Sequence, residues 1–387
     1  MKKNFLKVAC AAMALAVGVT SAAACGSGEE AYFIGASGPL TGAAASYGIA
    51  VQNGASMAVE EINAAGGLDG VKLKFEMLDD AHDSTKVPNN FSNLLEKGMQ
   101  VSLGCVTTVP CLEFKNYAKE NEVFFLTPSA TGTDVPDGNH GAFQMCFTDP
   151  AQGTKAAEYV KANASDKMIG VLYKSDDDYS KGIHDAFMKE FTDDEKAKIK
   201  TASFIETTDF SSQIAQLKDC NFIFMPVYTE PASKFMVQAK NTISADAIYF
   251  GCDGLDGVDK VEGFNINSIP QEVSYLSHFN ANATTGKAGD FVRKYTEKYG
   301  TDTLNQFGAS AYDCVYALFD AMKAAKEAGK NVTPSTSAAE LCKILIEEFT
   351  ADGFSFSGAT GTGVKWNKDG TVSKTPEKNI VKAATNA

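Results

Sequence analysis

Short apolar runs of strand length alternate with amphipathic helices along most of this chain, and the alternation runs through twice. The first series places strands at 32–34, 71–78, 101–104 and 123–126. Helices separate them: one carries Val51, Ala55, Ala58 and Ile62 on a single face, and two more span 88–97 and 111–120. From Asp149 the pattern restarts, with helices at 154–161, 179–191, 210–217 and 231–240 and strands at 168–173, 199–205, 222–227 and 247–250. Strict βαβα alternation builds a parallel sheet covered by helices on both faces, and a restart builds a second one. The fold class expected is therefore α/β, with two Rossmann-like lobes. Helices predicted at 288–299, 305–328 and 338–349 have no strands between them, so they have to pack on a lobe that already exists.

The first strand, loop and helix, YFIGASGPLTGAAASYGIAVQNGASMAVEEINAAGG, carry the earliest hint of a binding site. Gly35, Gly38 and Gly42 surround Pro39 and keep the backbone bare, while Gly66-Gly67 stop the helix that follows. Open α/β sheets bind ligands outside the carboxyl ends of their strands, where this loop lies. It lacks the G-x-G-x-x-G spacing of a dinucleotide site, and by itself it reads as a tight βα turn before it reads as a binding loop.

The chain begins with a basic region, Lys2, Lys3 and Lys7, followed by a short apolar run at 8–19, the pattern of a signal peptide. Ala22-Ala23-Ala24-Cys25 resembles the bacterial lipobox, which makes Cys25 the expected lipid attachment. Residues 1–24 are then signal peptide and 25–31 a tether, and the body is extracytoplasmic and lipid-anchored to the cell membrane. No later apolar run is long enough to span a bilayer.

Losing three lysines takes the formal charge from −13 to −16, and Arg293 is the only arginine. Nucleic acid needs clustered basic side chains, so it is excluded as a partner. At 387 residues and 44% hydrophobic content, two ordinary cores are within reach. Seven cysteines follow Cys25, an odd count spread too widely for a disulfide framework, and buried thiols are the default reading. Only Cys105 and Cys111 are near enough in sequence to suggest a bridge. No zinc pair, H-E-x-x-H, G-x-S-x-G or phosphate loop is present, so neither metal, cofactor nor catalysis is expected. His82, His140, His184 and His278 are scattered and read as surface or packing residues, and Asp176-Asp177-Asp178 as a solvated helix start.

GPLTG, Tyr47-Gly48, EINAAGG and Asp79-Asp80, in that order, resemble the entry of the leucine/isoleucine/valine-binding family of type I periplasmic binding proteins. The resemblance extends over nearly all the chain after the signal. It implies two lobes joined by a three-crossing hinge, with crossings near 147–149, 274–279 and 354–357. Lobe 1 is then 32–147 plus 278–354, and lobe 2 is 148–277 plus 355–387. FSGATGTGVKWNKDGTV resembles the family's closing hairpin, with Asp369-Gly370 as its turn.

The family's amino-acid binders hold the ligand carboxylate on lobe 1 with hydroxyls and backbone N–H groups. The matching positions are Thr108 in GCVTT and Ser129, Ala130 and Thr131 in TPSAT. Fixed dipoles neutralise a carboxylate without a cation, which suits loops that contain none. On lobe 2 the matches are Tyr179, Tyr228 and Asp253, an aspartate where the family usually has a glutamate, and it would meet the ligand ammonium. Tyr47 falls where an aromatic wall faces the ligand side chain. Hydroxyl residues also cap helices, and Asp253 between Gly251 and Gly254 also reads as a turn residue. The function implied is an ABC-transporter solute-binding lipoprotein, a monomer, that delivers a branched-chain or other small amino acid to a permease. The alternatives are a sensor module of the same fold and a binder of amides or aromatic acids.

Overall fold

A computed structural model describes residues 30–384. The expected signal peptide and Cys25 lie outside them. Among the described residues, no helix is long and apolar enough to cross a membrane.

Lobe 1 is built on a five-stranded parallel sheet of order β2-β1-β3-β4-β5. Its strands are β1 (Ala31–Gly38), β2 (Lys72–Asp79), β3 (Val101–Ser102), β4 (Phe124–Thr127) and β5 (Ala142–Gln144). Helix α1 (Ala45–Ala64) covers one face, and α2 (Val87–Glu96) with α3 (Thr108–Glu120) the other. Phe91 and Leu94 of α2 pack with Cys111 and Phe114 of α3 beneath Phe33 and Phe125, so apolar helix faces find the apolar runs of the strands.

Lobe 2 follows, with α4 (Asp149–Asn163), β6 (Ile169–Lys174), α5 (Asp178–Lys189), the short α6 (Asp193–Lys196), β7 (Lys200–Phe204) and α7 (Ser211–Leu217). It continues through β8 (Phe222–Met225), α8 (Thr229–Ala239), β9 (Ile248–Gly251) and β10 (Glu272–Ser277). The chain then supplies α9 (Gly286–Tyr299), α10 (Gln306–Glu327), α11 (Ala338–Phe349), β11 (Phe356–Gly358), β12 (Gly361–Val364) and β13 (Glu377–Lys382). The second sheet has the order β13-β10-β9-β8-β6-β7, in which only the β10–β13 pair is antiparallel. Strand order reverses between β1 and β3 in one sheet and between β6 and β8 in the other. Such switch points are where an open α/β sheet leaves a crevice.

The strandless helices pack on lobe 1, as expected. Ala311, Cys314, Val315 and Leu318 of α10 and Leu341 and Leu345 of α11 join the core under α1. Gly54 and Gly308 bring α1 and α10 into backbone contact, since a Cβ on Gly54 would lie 2.0 Å from the Gly308 carbonyl oxygen.

Three expectations need correction. Gly35 and Gly38 belong to β1, not to the loop around Pro39, and their missing side chains make room for Met99 and for Met77 and Val106. Strand β5 is absent from the sequence reading, because three residues are too few to show a period. The third crossing, expected near 354–357, comes after Val372. Phe356, Val364, Trp366 and Val372 all pack into the lobe 1 core, and Trp366 donates through Nε1 to the Gln144 carbonyl at 2.7 Å. Asp313 of α10 clamps the β11–β12 turn by accepting from the N–H groups of Ala359 and Thr360 at 2.8 and 2.7 Å. Of these last strands, only β13 reaches the lobe 2 sheet. The Asp369-Gly370 turn does form, closing the Trp366–Val372 bridge.

Cys105 and Cys111 are separate buried thiols, like the other five cysteines among the described residues. Asp177 caps α5 by accepting from the Ser180 N–H at 2.9 Å, the expected helix start, but it is buried rather than solvated, because α5 carries it against the interlobe face.

Candidate functional site

The loops that leave the two switch points face each other across a small cavity of about 10 Å³, about the space of one water. Six of the eight expected ligand residues line it: Tyr47, Thr108, Ser129, Tyr179, Tyr228 and Asp253. Ala130 and Thr131 do not reach its surface. Ala130 is turned inward, with its carbonyl accepting from Gln144 Nε2 at 2.6 Å, and Thr131 is buried with no partner for its hydroxyl.

On the lobe 1 side, β3 leads into Val106 and Thr107, and Thr107 is the N-cap of α3. Thr108 is thus the first residue of a 13-residue helix, whose leading N–H groups have no acceptor within it. A hydroxyl and a helix N-terminus together form a ready anion seat. Ser129, after β4, lies beside it and donates its hydroxyl to the Val106 carbonyl at 2.7 Å, which ties the two loops.

On the lobe 2 side the three expected residues interlock. The rings of Tyr179 and Tyr228 stack at 4.8 Å. The Tyr179 hydroxyl donates to Asp253 Oδ1 at 2.7 Å and accepts from the Gly254 N–H at 2.9 Å. The Asp253 N–H in turn donates to Gln152 Oε1 at 2.9 Å. Burial pushes the Asp253 carboxyl up to about 6, against hydrogen bonds from Tyr179, Gln152 and Gly254 that pull it down. No lysine or arginine lines the cavity, so nothing there neutralises this charge.

Tyr47 sits in the first turn of α1, inside the helix rather than in the loop before it. Its hydroxyl crosses to lobe 2, donating to the Gly254 carbonyl at 2.7 Å and accepting from the Thr229 N–H at 2.9 Å. Its ring is 5.7 Å from Tyr228 and 5.0 Å from Phe307, so it is a wall and also a bridge.

Four residues that the sequence reading missed complete the lining: Val106, Thr107, Gly254 and Phe307. Phe307 arrives on the first turn of α10, through the close approach of Gly54 and Gly308, and no local pattern announces it. Two more stand close behind. Asp149, at the start of α4, is buried with one carboxyl oxygen unpartnered, and burial raises its carboxyl well above the usual range against an opposing pull from the Thr131 hydroxyl, with the nearby Asp253 and Asp177 adding to the rise. His82 is a packing histidine: its Nδ1 is 2.8 Å from Thr107 Oγ1 and its ring meets Tyr228 edge-on at 5.4 Å. Among the described residues no cluster of three or more possible metal ligands occurs.

The sequence profile of the periplasmic binding protein family matches residues 31–373. The Leu/Ile/Val-binding protein homolog 3 of Brucella melitensis is 34% identical over 208 residues, 52% of this chain and 55% of that protein. The leucine-, isoleucine-, valine-, threonine-, and alanine-binding protein of Pseudomonas aeruginosa is 30% identical over 229 residues, 57% of this chain and 60% of its own. These matches therefore span between half and two thirds of the relatives' length. Among solved structures, the branched-chain amino acid transporter substrate binding protein LivJ from Streptococcus pneumoniae, in complex with isoleucine, is similar with a TM-score of 0.77. It is 25% identical, over 91% of this chain and 98% of that one. The leucine binding protein LivK from Thermotoga maritima has a TM-score of 0.74 and 22% identity, over 91% of this chain and 96% of its own. With two parallel-dominated lobes, three crossings and a cleft between paired switch points, the chain belongs to the periplasmic binding protein family, in the type I fold of the leucine/isoleucine/valine-binding proteins.

Proposed function

We propose that the protein is an extracytoplasmic solute-binding protein, tethered by a lipid on Cys25, that captures a free α-amino acid between its lobes and delivers it to an ABC permease. The observation that carries this reading is the pairing of a buried, uncompensated Asp253 carboxylate with a cation-free bed formed by Thr108 and the N–H groups that open α3, with Ser129 beside it. A zwitterion has one group for each. Its ammonium meets Asp253, beside the stacked rings of Tyr179 and Tyr228. Its carboxylate meets the start of α3. Tyr47 and Phe307 bound the side chain. An aromatic acid without an amine would leave Asp253 buried and unmatched, which favours amino acids over that ligand class.

Contacts from both lobes stabilise the closed jaw, and closure is the state a permease reads. The protein accordingly acts by binding alone. A thermal-shift screen of the mature chain, refolded to remove any carried-over ligand, tests the ligand class. A bound amino acid at 100 times its Kd adds about 2.7 kcal/mol. Stabilisation by α-amino acids but not by their α-deamino acids is expected; stabilisation by benzoate-like acids alone would overturn the reading.

A further inference from the structure

Asp256 lies three residues past Asp253 on the same lobe 2 loop and is buried at 5% exposure. Its two oxygens point to different lobes. Oδ1 accepts from the Tyr275 hydroxyl of β10 at 2.6 Å, and that hydroxyl accepts from Asn379 Nδ2 of β13 at 2.9 Å. Oδ2 accepts from the Gln306 N–H at 2.8 Å, and Gln306 is the first residue of α10, on lobe 1.

That N–H is an open donor. In the first turn of α10, the Asn305 side chain accepts from Phe307 and Gly308, both at 3.1 Å, but not from Gln306. Lobe 1 leaves the leading N–H of a 22-residue helix without an acceptor, and lobe 2 supplies a carboxylate to it. The contact joins two walls of the cavity, because Phe307 follows Gln306 and Asp253 precedes Asp256 on the loop.

We propose that Asp256 is a positioning residue for ligand capture: it clamps the N-terminus of α10, and Phe307 with it, against lobe 2, and so sets how long the jaw stays closed. The inference rests on the cleft being the ligand site. Tyr275 and Asn379 hold the carboxylate in place from the strands beside the hinge, so the clamp is aimed before the lobes meet.

A double-mutant cycle tests it. Asp256→Ala removes the acceptor. Gln306→Pro removes the donor at a helix position that welcomes proline, after an Asn305 already extended at φ −150°, ψ 177°. With L-isoleucine as the probe, each variant should dissociate about tenfold faster with association little changed, the loss typical of a hydrogen bond to a charged group. The double variant should be no faster than either single one, and Asp256→Asn, which keeps an oxygen acceptor, should recover most of the residence time. Additive effects, or a loss confined to association, would overturn the clamp. A second measurement needs no ligand: amide exchange at Gln306 should be about tenfold faster in Asp256→Ala than in the parent protein. Equal exchange rates would also overturn it. If the parent protein binds no isoleucine, the amino-acid reading is what fails for that ligand, and the exchange rates still decide the clamp.

Discussion

Replacing Asp253 with asparagine should make the ligand-free protein more stable at neutral pH while abolishing its response to amino acids. The carboxyl titrates at about 6 in the folded chain against an ordinary 3.8, chiefly because it is buried. A folded pKa above the unfolded one means that the native state binds the extra proton. Between those two values stability therefore falls as pH rises, and above about 6 the full cost of holding a buried charge is present. At about 1.4 kcal/mol per pH unit that cost is about 3 kcal/mol. The asparagine would carry no charge and would keep an oxygen for the Tyr179 hydroxyl and the Gly254 N–H. With an unfolding entropy of roughly 2 cal/mol/K per residue, Asp253→Asn should melt about 4 °C higher at pH 7.5. Near pH 4 the parent carboxyl is itself protonated, and the difference should vanish. Saturating amino acid should then reverse the order at pH 7.5, raising the parent and leaving the variant where it was. Differential scanning calorimetry of refolded, ligand-free samples at both pH values reads all of this. An asparagine variant that melts lower than the parent at pH 7.5, or by the same margin at both pH values, would refute the claim that an unmatched buried charge is waiting at this position.

The same titration implies that amino-acid affinity should fall as pH drops through about 6, since a neutral Asp253 no longer opposes an ammonium; calorimetric titrations at pH 5 and pH 7.5 should differ by about tenfold, and equal affinities would contradict the assignment. Gly54→Ala should lower stability by about 1–3 kcal/mol in urea unfolding, because its Cβ would lie 2.0 Å from the Gly308 carbonyl oxygen, and should weaken ligand binding by displacing Phe307. In a variant chain starting after Cys25, a thiol reagent should titrate no cysteine in the native state and seven after unfolding; fewer than seven would reveal a bridge.

Much of the architecture is legible in the sequence because its cause is local. Alternation of apolar runs and amphipathic helices dictates parallel sheets, and the apolar positions Val51, Ala55, Ala58 and Ile62 are the buried face of α1. What the sequence hides is non-local. Phe356, Val364, Trp366 and Val372 are apolar in any reading, but no period says which of two sheets they will cover. The site divides in the same way. Its hydroxyls and tyrosines are recognisable where strands end, through the family's motif order. Phe307 and Gly254 belong to the cavity only because α10 lies against α1 and because the lobes meet. Thr131 and Ala130 carry the right motif, yet they sit just behind the surface that the motif predicts.

The late third crossing has a consequence for a chain made from its N-terminus onward. Lobe 1 waits for Trp366 and Val372 to cap its core, and lobe 2 waits for β13, at Glu377–Lys382, to cover the open edge of β10. The core of lobe 1 and the sheet of lobe 2 thus stay unfinished until residues 366–382 emerge. Until then β10 offers a row of unpaired backbone groups, the kind of edge to which a stray strand adds. A chain cut between Val372 and Glu377 should keep a complete first lobe and a sticky second one. Strand β13 is therefore a seal against association, added only after every other strand of both sheets has been made.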